Sequence, residues 1–318
     1  MIPLVQLEAD LLRRGVDPDF VMAKAAPEDG VPGIVTRTEF LALQLRYGYQ
    51  RAVALVQARI NLAELERELQ ATSQSAAAME TALQASRTAD LGAAFRAPAE
   101  STTQAAYMRG AREGTTALRT IGIRIGFDSM NPHAAVYART QSSRLITHIN
   151  DSQREAVRNL IETSVAGGRT VQEVARDIRN VVGLRDDQVR ALLAYRERLT
   201  VRGGLKVDQL EKKVRRYADA LLRQRGELIA RTEVLSAANA GQLELWQEAR
   251  RDGTLDATWG KQWVTTPDEL LCDDCESLDG LVVGFNDLFV SPDNTRVTAL
   301  HAPLHPNCRC TLTLAKLS

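Results

Sequence analysis

All four cysteines of this 318-residue chain fall in its last fifty residues, and their spacing constrains the fold there more than any other feature. Cys272 and Cys275 make a C-x-x-C pair in LLCDDCESLDG. Cys308 and Cys310 make a C-x-C pair in LHPNCRC, with His305 just upstream. A C-x-x-C pair on a tight turn offers two thiolates to one ion. Residues at i and i+2 of a strand point the same way, so the second pair offers two more. Joined by a hairpin, the pairs would close a four-cysteine zinc site. His305 is a fifth donor that could replace Cys308, and His301 is a weaker sixth. Four protein ligands leave no position for water, so such a zinc is structural and would staple a small module at residues 254–318. Disulfides and buried free thiols remain open as alternatives. A redox pair fits less well, because no thioredoxin-like βαβ pattern surrounds it.

The rest of the chain reads as mainly α. Aromatic residues are 5%, hydrophobic residues 44% and charged residues 25%, ordinary values for a globular protein rich in helix formers. No apolar run approaches eighteen residues, so no transmembrane helix is expected. The first residues carry early acids and lack an uninterrupted apolar stretch, so no signal peptide is expected. Synthesis in a cytosol, with reduced cysteines, is the expectation. Net charge is zero but uneven. Residues 139–231 hold 20 Lys+Arg against 12 Asp+Glu, a balance of +8, and residues 232–318 hold 6 against 13, a balance of −7.

Three regions are expected: 1–98, helical with a long heptad-bearing helix; 99–253, a helical body, basic in its second half; and 254–318, a small cysteine-rich α+β module. A short helix is expected over 5–14. A long one should start at Thr38 as N-cap. Leu55, Leu62, Leu69, Ala76 and Leu83 fall seven apart, with Ala58, Leu65, Thr72, Met79 and Ser86 in the companion positions. This a/d seam predicts either a coiled coil, through which 55–86 self-associates, or one long helix packed in its own bundle. A break is expected at Ala97-Pro98, then helices over 103–121 and 135–150. Asp151 should cap the next, ended by Gly167-Gly168. Thr170 with Glu173 forms a capping-box pattern for 171–182. Asp186 and Asp187 open another helix, and two more are expected over 206–225 and 229–250. The last has an Ala-rich side suited to close packing. After Gly253, short strands are expected around Trp259, Trp263, 281–283, Phe289, Val297 and 311–314.

The helix over 206–225 carries Lys212, Lys213, Arg215, Arg216, Arg223 and Arg225, candidates for contact with phosphates of double-stranded DNA. Few aromatics interleave them, which argues against single-strand binding. No Walker A loop, G-x-G-x-x-G, H-E-x-x-H or G-x-S-x-G is present, so the chain is not expected to be an enzyme. His133 and His148 read as ordinary helix histidines. Arg231 and Glu233 read as separate structural contacts. Asp273, Asp274 and Glu276 read as solvated turn carboxylates.

The stretch W263-V-T-T-x-D268 leading to Cys272-x-x-Cys275, then Leu278-Asp279-Gly280, then Pro303-Leu-His-Pro-Asn-Cys-Arg-Cys310, resembles the C-terminal domain of Mu F-like minor head proteins of phages. Ile229-Ala-Arg-Thr-Glu-Val234 with Ala237-Ala-Asn-Ala-Gly241 resembles the helix preceding it. Gly122-Ile123, Phe127-Asp128 and Asn131-Pro132 extend the resemblance up to about residue 105, and 1–104 match nothing. The resemblance implies a minor capsid component made in the host cytoplasm and carried in the virion. It implies association with the portal or major capsid protein at the portal vertex, and a role in head assembly, genome packaging or ejection. Some relatives carry an enzymatic domain after this module, and with eight residues beyond Cys310 none is expected here.

Overall fold

The computed structural model describes residues 34–71, 76–87, 90–125, 132–266 and 271–317. The helix expected over 5–14 lies outside the described residues. The helices are α1 (Ile34–Arg59), α2 (Leu62–Ala71), α3 (Ala76–Ala85), α4 (Asp90–Thr120), α5 (Pro132–Ala166), α6 (Val171–Val181), α7 (Asp186–Arg202) and α8 (Val207–Arg251). The remaining elements are β1 (Trp259–Val264), the single turn α9 (Asp273–Glu276), β2 (Val282–Val283), β3 (Phe289–Val290), β4 (Thr298–Ala299) and β5 (Thr311–Lys316). The chain is mainly α, with a small antiparallel sheet at its C-terminal end.

The helices run longer than the breaker residues predict. α1 begins before Thr38, which is buried inside it. Pro98 lies within α4. A proline there removes one helix hydrogen bond. The neighbouring Phe95 and Ala99 are fully buried, and that packing outweighs the lost bond. Asp151 lies inside α5 and caps nothing, and Pro132 takes the first helical position. The separate helices over 206–225 and 229–250 are one helix, α8. By contrast, the Thr170–Glu173 capping box forms in full, with Thr170 N–H donating to Glu173 at 3.0 Å. The capping box was legible; single polar or proline residues inside strong helical patterns were overruled by packing.

The heptad seam is not carried on one helix. Asn61 separates α1 from α2 and caps α2, its side-chain oxygen accepting from Glu64 N–H at 3.3 Å. Leu65 and Leu69 are buried, and α2 packs against α3 and α6. Leu55 is 43% exposed. The buried part of the seam is therefore used within the chain's own bundle.

The chain divides into two compact units built from interleaved stretches. One comprises Arg46–Ala97 and Ser142–Glu227. Its centre is Gly183, which has φ +85° and follows α6. A side chain there would sit 2.5 Å from Val53, so glycine is required twice over. The Gly183 carbonyl accepts from Tyr49 Oη at 2.7 Å and from Arg225 Nη1 at 3.1 Å, and its N–H donates to Gln153. A second buried network joins Asp177 to Arg196 at 2.8 Å and to Arg169 at 2.7 Å, with Arg196 also holding Glu211 at 2.6 Å. Burial raises the Asp177 pKa against the pull of Arg196 and Arg169. Such a network is costly to break at one member, because a buried charge is left unpaired.

The other unit comprises Met1–Leu45, Pro98–Gln141 and Leu228–Ser318. Here α4 and α8 cross at backbone contact. A Cβ at Gly110 would lie 1.7 Å from Ala238 O, and one at Gly241 would lie 2.0 Å from Tyr107 O. Ala230, Ala237 and Ala238 are buried on the same helix, as its small-residue side predicts. The sheet order is β2-β1-β5, all antiparallel, with Trp263 opposite Leu312; β3 and β4 form a separate two-stranded ribbon. The sheet has no core of its own. Trp263, Phe285, Phe289 and Leu312 share one cluster with Leu118 of α4 and Trp246 of α8. Asn239 of α8, fully buried, ties the strand to the helix: its oxygen accepts from Thr311 Oγ1 at 3.0 Å and Leu312 N–H at 3.2 Å.

Candidate metal centre

The centre is assembled from two loops and one helix. Cys272 stands at the N-cap position of α9 and Cys275 inside it, so one tight turn presents both sulfurs. The second loop turns at 305–308, where Cys308 N–H donates to His305 O at 3.1 Å. Asn307 takes φ +66° in that turn, the left-handed region that Asn tolerates better than most residues. Two residues of α8 hold it there. Arg231 Nη1 donates to Asn307 Oδ1 at 2.8 Å, and Asn307 N–H donates to Thr232 Oγ1 at 3.1 Å. The first loop is braced similarly: Thr265 N–H donates to Asp279 Oδ1 at 2.8 Å, and Thr266 Oγ1 donates to Arg309 O at 3.1 Å.

All five donors converge. His305 Nε2 lies 3.1 Å from Cys272 Sγ and 3.2 Å from Cys275 Sγ. Cys275 Sγ lies 3.6 Å from Cys308 Sγ, well beyond a disulfide bond, and the four cysteines are free thiols. Cys272, Cys275 and His305 form one group that could hold a metal ion, and Cys275, Cys308 and Cys310 form another, the donor atoms of each lying within 4.8 Å of one another. Cys275 is common to both.

The imidazole is oriented for ligation. His305 Nδ1 lies 2.9 Å from Pro306 O. A carbonyl can only accept, so the proton is on Nδ1 and the Nε2 lone pair faces the sulfurs. This is the outer-shell arrangement that fixes the tautomer of metal-binding histidines. The sulfurs are poised unequally. Hydrogen bonds from Cys275 and Cys310 hold the Cys308 thiol well below its ordinary range, while contact with Cys308 and Cys310 pushes Cys275 up. A cation among them would replace shared protons as the neutralising charge.

His301 stands apart from the cluster: its Nδ1 meets Ala302 O at 2.8 Å, and burial lowers its pKa. Asp273, Asp274 and Glu276 are exposed, as read. His133 lies 3.9 Å from Glu244 on the surface, and His148 is exposed. Lys212, Lys213, Arg215, Arg216 and Arg223 are exposed on α8. Arg225 is not a phosphate-contact residue. It is 3% exposed, and its guanidinium holds Gly183 O at 3.1 Å and Ser152 Oγ at 2.7 Å.

Sequence reading missed the link between Arg231, Thr232 and the ligand loop, because the partners are some 75 residues apart in the chain. It also missed Lys261, fully buried on β1. Alternation could have found it, since Lys261 shares a strand face with Trp263.

Residues 198–313 match the family model described as Phage Mu protein F like protein. Over that stretch the chain is similar to phage Mu protein F. No curated protein matches the chain, and no solved structure does. The matched stretch starts within α7 and takes in all of α8, both loops of the candidate metal centre and half of β5. It therefore includes every donor and every brace just described. The weaker resemblance drawn over 105–197 lies outside it. Among the described residues no helix is long and apolar enough to cross a membrane.

Proposed function

We propose that the protein is a structural minor head protein of a tailed phage or phage-like particle. Its helical part docks on the portal or major capsid protein, and its C-terminal unit is braced by a structural zinc ion. The phage Mu F like match over 198–313 carries this reading. That match supports a phage-head-related protein located in the virion; portal association, and a part in assembly, packaging or ejection, are the finer proposal. The donor set supports zinc. Thiolates at about 2.3 Å and imidazole at about 2.1 Å from one ion stand roughly 3.5 Å apart. The spacings of 3.1 and 3.2 Å from His305 to two sulfurs and 3.6 Å between Cys275 and Cys308 are close to that. Cys272, Cys275 and His305, completed by Cys308 or Cys310, are the proposed ligands, in place of an all-cysteine set. Cys310 closes the cluster, donating its backbone N–H to Cys308 Sγ at 3.5 Å. Pull-down and cross-linking of the full-length chain with the cognate portal protein test the reading. A specific complex is expected, and no association with portal or capsid protein would refute it.

A second, compatible reading is contact with packaged duplex DNA. Five exposed cations on α8 favour it, and Arg215 lies with Arg179 along one cleft of the same unit. Duplex binding by the full-length chain should weaken steeply with salt. Binding indifferent to ionic strength would count against it.

A further inference from the structure

The outer face of the β3–β4 ribbon is an apolar surface that neither the metal centre nor the core accounts for. Phe289 pairs with Ala299 and Val290 with Thr298. Phe289 points inward and is fully buried. By strand alternation, Leu288 and Val290 point outward, and Leu300 stands across from Leu288. These three are 51%, 43% and 39% exposed. They are three of the eight large hydrophobic side chains exposed among the described residues, gathered on one face of a sixteen-residue segment, 285–300.

The face is held from behind. Lys261 Nζ donates to Phe285 O at 3.0 Å and to Leu300 O at 2.8 Å, one carbonyl on each arm of the ribbon. The Phe289 ring meets Trp263 edge-on at 5.3 Å. Ser291 Oγ and Ser277 Oγ are 2.8 Å apart, tying the ribbon to the turn that carries Cys275. A buried lysine, an aromatic pair and a buried serine thus fix a surface whose apolar side chains face water.

The rim is acidic. Asp287 and Asp293 lie within the ribbon segment, and Asp273, Asp274 and Glu276 lie on α9, next to the Ser277–Ser291 tie; all five are exposed. Arg296 is the one exposed base within 285–300. An acidic rim repels nucleic acid and anionic lipid, and fits a positively charged protein surface. We infer that this face docks a partner protein whose contact segment carries apolar side chains flanked by Lys or Arg.

The test uses the full-length chain and two synthetic peptides with the same alternating Leu/Val pattern. One has Lys and Arg between the apolar positions, the other Glu and Asp. Binding of the cationic peptide is expected, with little binding of the anionic one. Leu288→Ser/Leu300→Ser should weaken it about tenfold or more, in line with the loss of central apolar anchors. Val290→Ser alone should act in the same direction, and Asp287→Asn/Asp293→Asn should blunt the salt dependence. Circular dichroism and metal content should stay as in the parent chain. Equal binding of both peptides, or unchanged binding by the serine variants, would overturn the inference. So would a wild-type dimer in sedimentation that Leu288→Ser/Leu300→Ser disperses, which would assign the face to a second copy. The peptides contain no particle component, so this outcome is separate from that of the portal experiment.

Discussion

At the scale of single residues, the candidate metal centre depends on side chains outside the donor set. Arg231 and Thr232 hold Asn307 in its left-handed turn, and that turn sets His305 and Cys308 against Cys272 and Cys275. Outer-shell partners of this kind are worth about 10- to 100-fold in metal affinity. Arg231→Ala/Thr232→Val should therefore release metal to a competing chelator at about tenfold lower chelator concentration, with the helical circular dichroism signal intact. Lys261 gives a pH-dependent prediction. Burial lowers its pKa from 10.5 to about 8. Between those values the unfolded chain holds a proton that the folded chain has released, so stability rises with pH across that window. The gain is about 3 kcal/mol for a shift of this size. Lys261→Met should flatten the dependence of thermal unfolding on pH between about 8 and 10.5. A rise of the same size in the variant would assign the effect to other groups. The four cysteines and His305 were legible as candidate donors from spacing alone. Their braces were not, because nothing local distinguishes an arginine that holds a loop some 75 residues away from one that faces water.

At the scale of elements, packing decides what the local pattern leaves open. Pro98 and Asp151 each read as boundaries, yet both lie inside helices. Their local preferences are smaller than the burial of the turns on either side. Thr170 and Gly253 were read correctly, because a capping box or a positive φ leaves few alternatives. The heptad seam was legible as an apolar stripe but not as its use. A stripe is the same whether it meets another copy or a neighbouring helix. Since Leu65 is fully buried and Leu55 is 43% exposed, the two should differ. Leu65→Ala should cost about 2–5 kcal/mol in denaturant unfolding. Leu55→Ala should cost well under about 1 kcal/mol, as at other surface positions. Equal costs, or a concentration-dependent midpoint that Leu55→Ala abolishes, would restore the coiled coil. The crossing of α4 and α8 leaves no room for one methyl group, with a Cβ at Gly241 only 2.0 Å from a backbone oxygen. Gly241→Ala should cost about 3 kcal/mol or more, at the top of the range for overpacking.

At the scale of the whole molecule, the C-terminal sheet shares one hydrophobic cluster with α4 and α8, so texture along the chain is a poor guide to what folds together. The change to short strands after Gly253 was plain in the sequence. That Trp246 and Leu118 would complete the core under those strands was not, because both belong to helices outside the strand segment and Leu118 lies more than a hundred residues before it. The charge asymmetry, +8 over 139–231 and −7 over 232–318, was legible from counting alone. On the proposed reading it separates a DNA-facing helix from a protein-facing module. The zinc brace is central to that reading, since it fixes both loops behind the module's outer surface. Metal analysis of the purified full-length chain, paired with thermal unfolding with and without chelator, tests it most directly. One zinc per chain is expected, lost in Cys272→Ser/His305→Ala, with a marked drop in unfolding temperature on chelation. A metal-free chain that unfolds at the same temperature with or without chelator would contradict it.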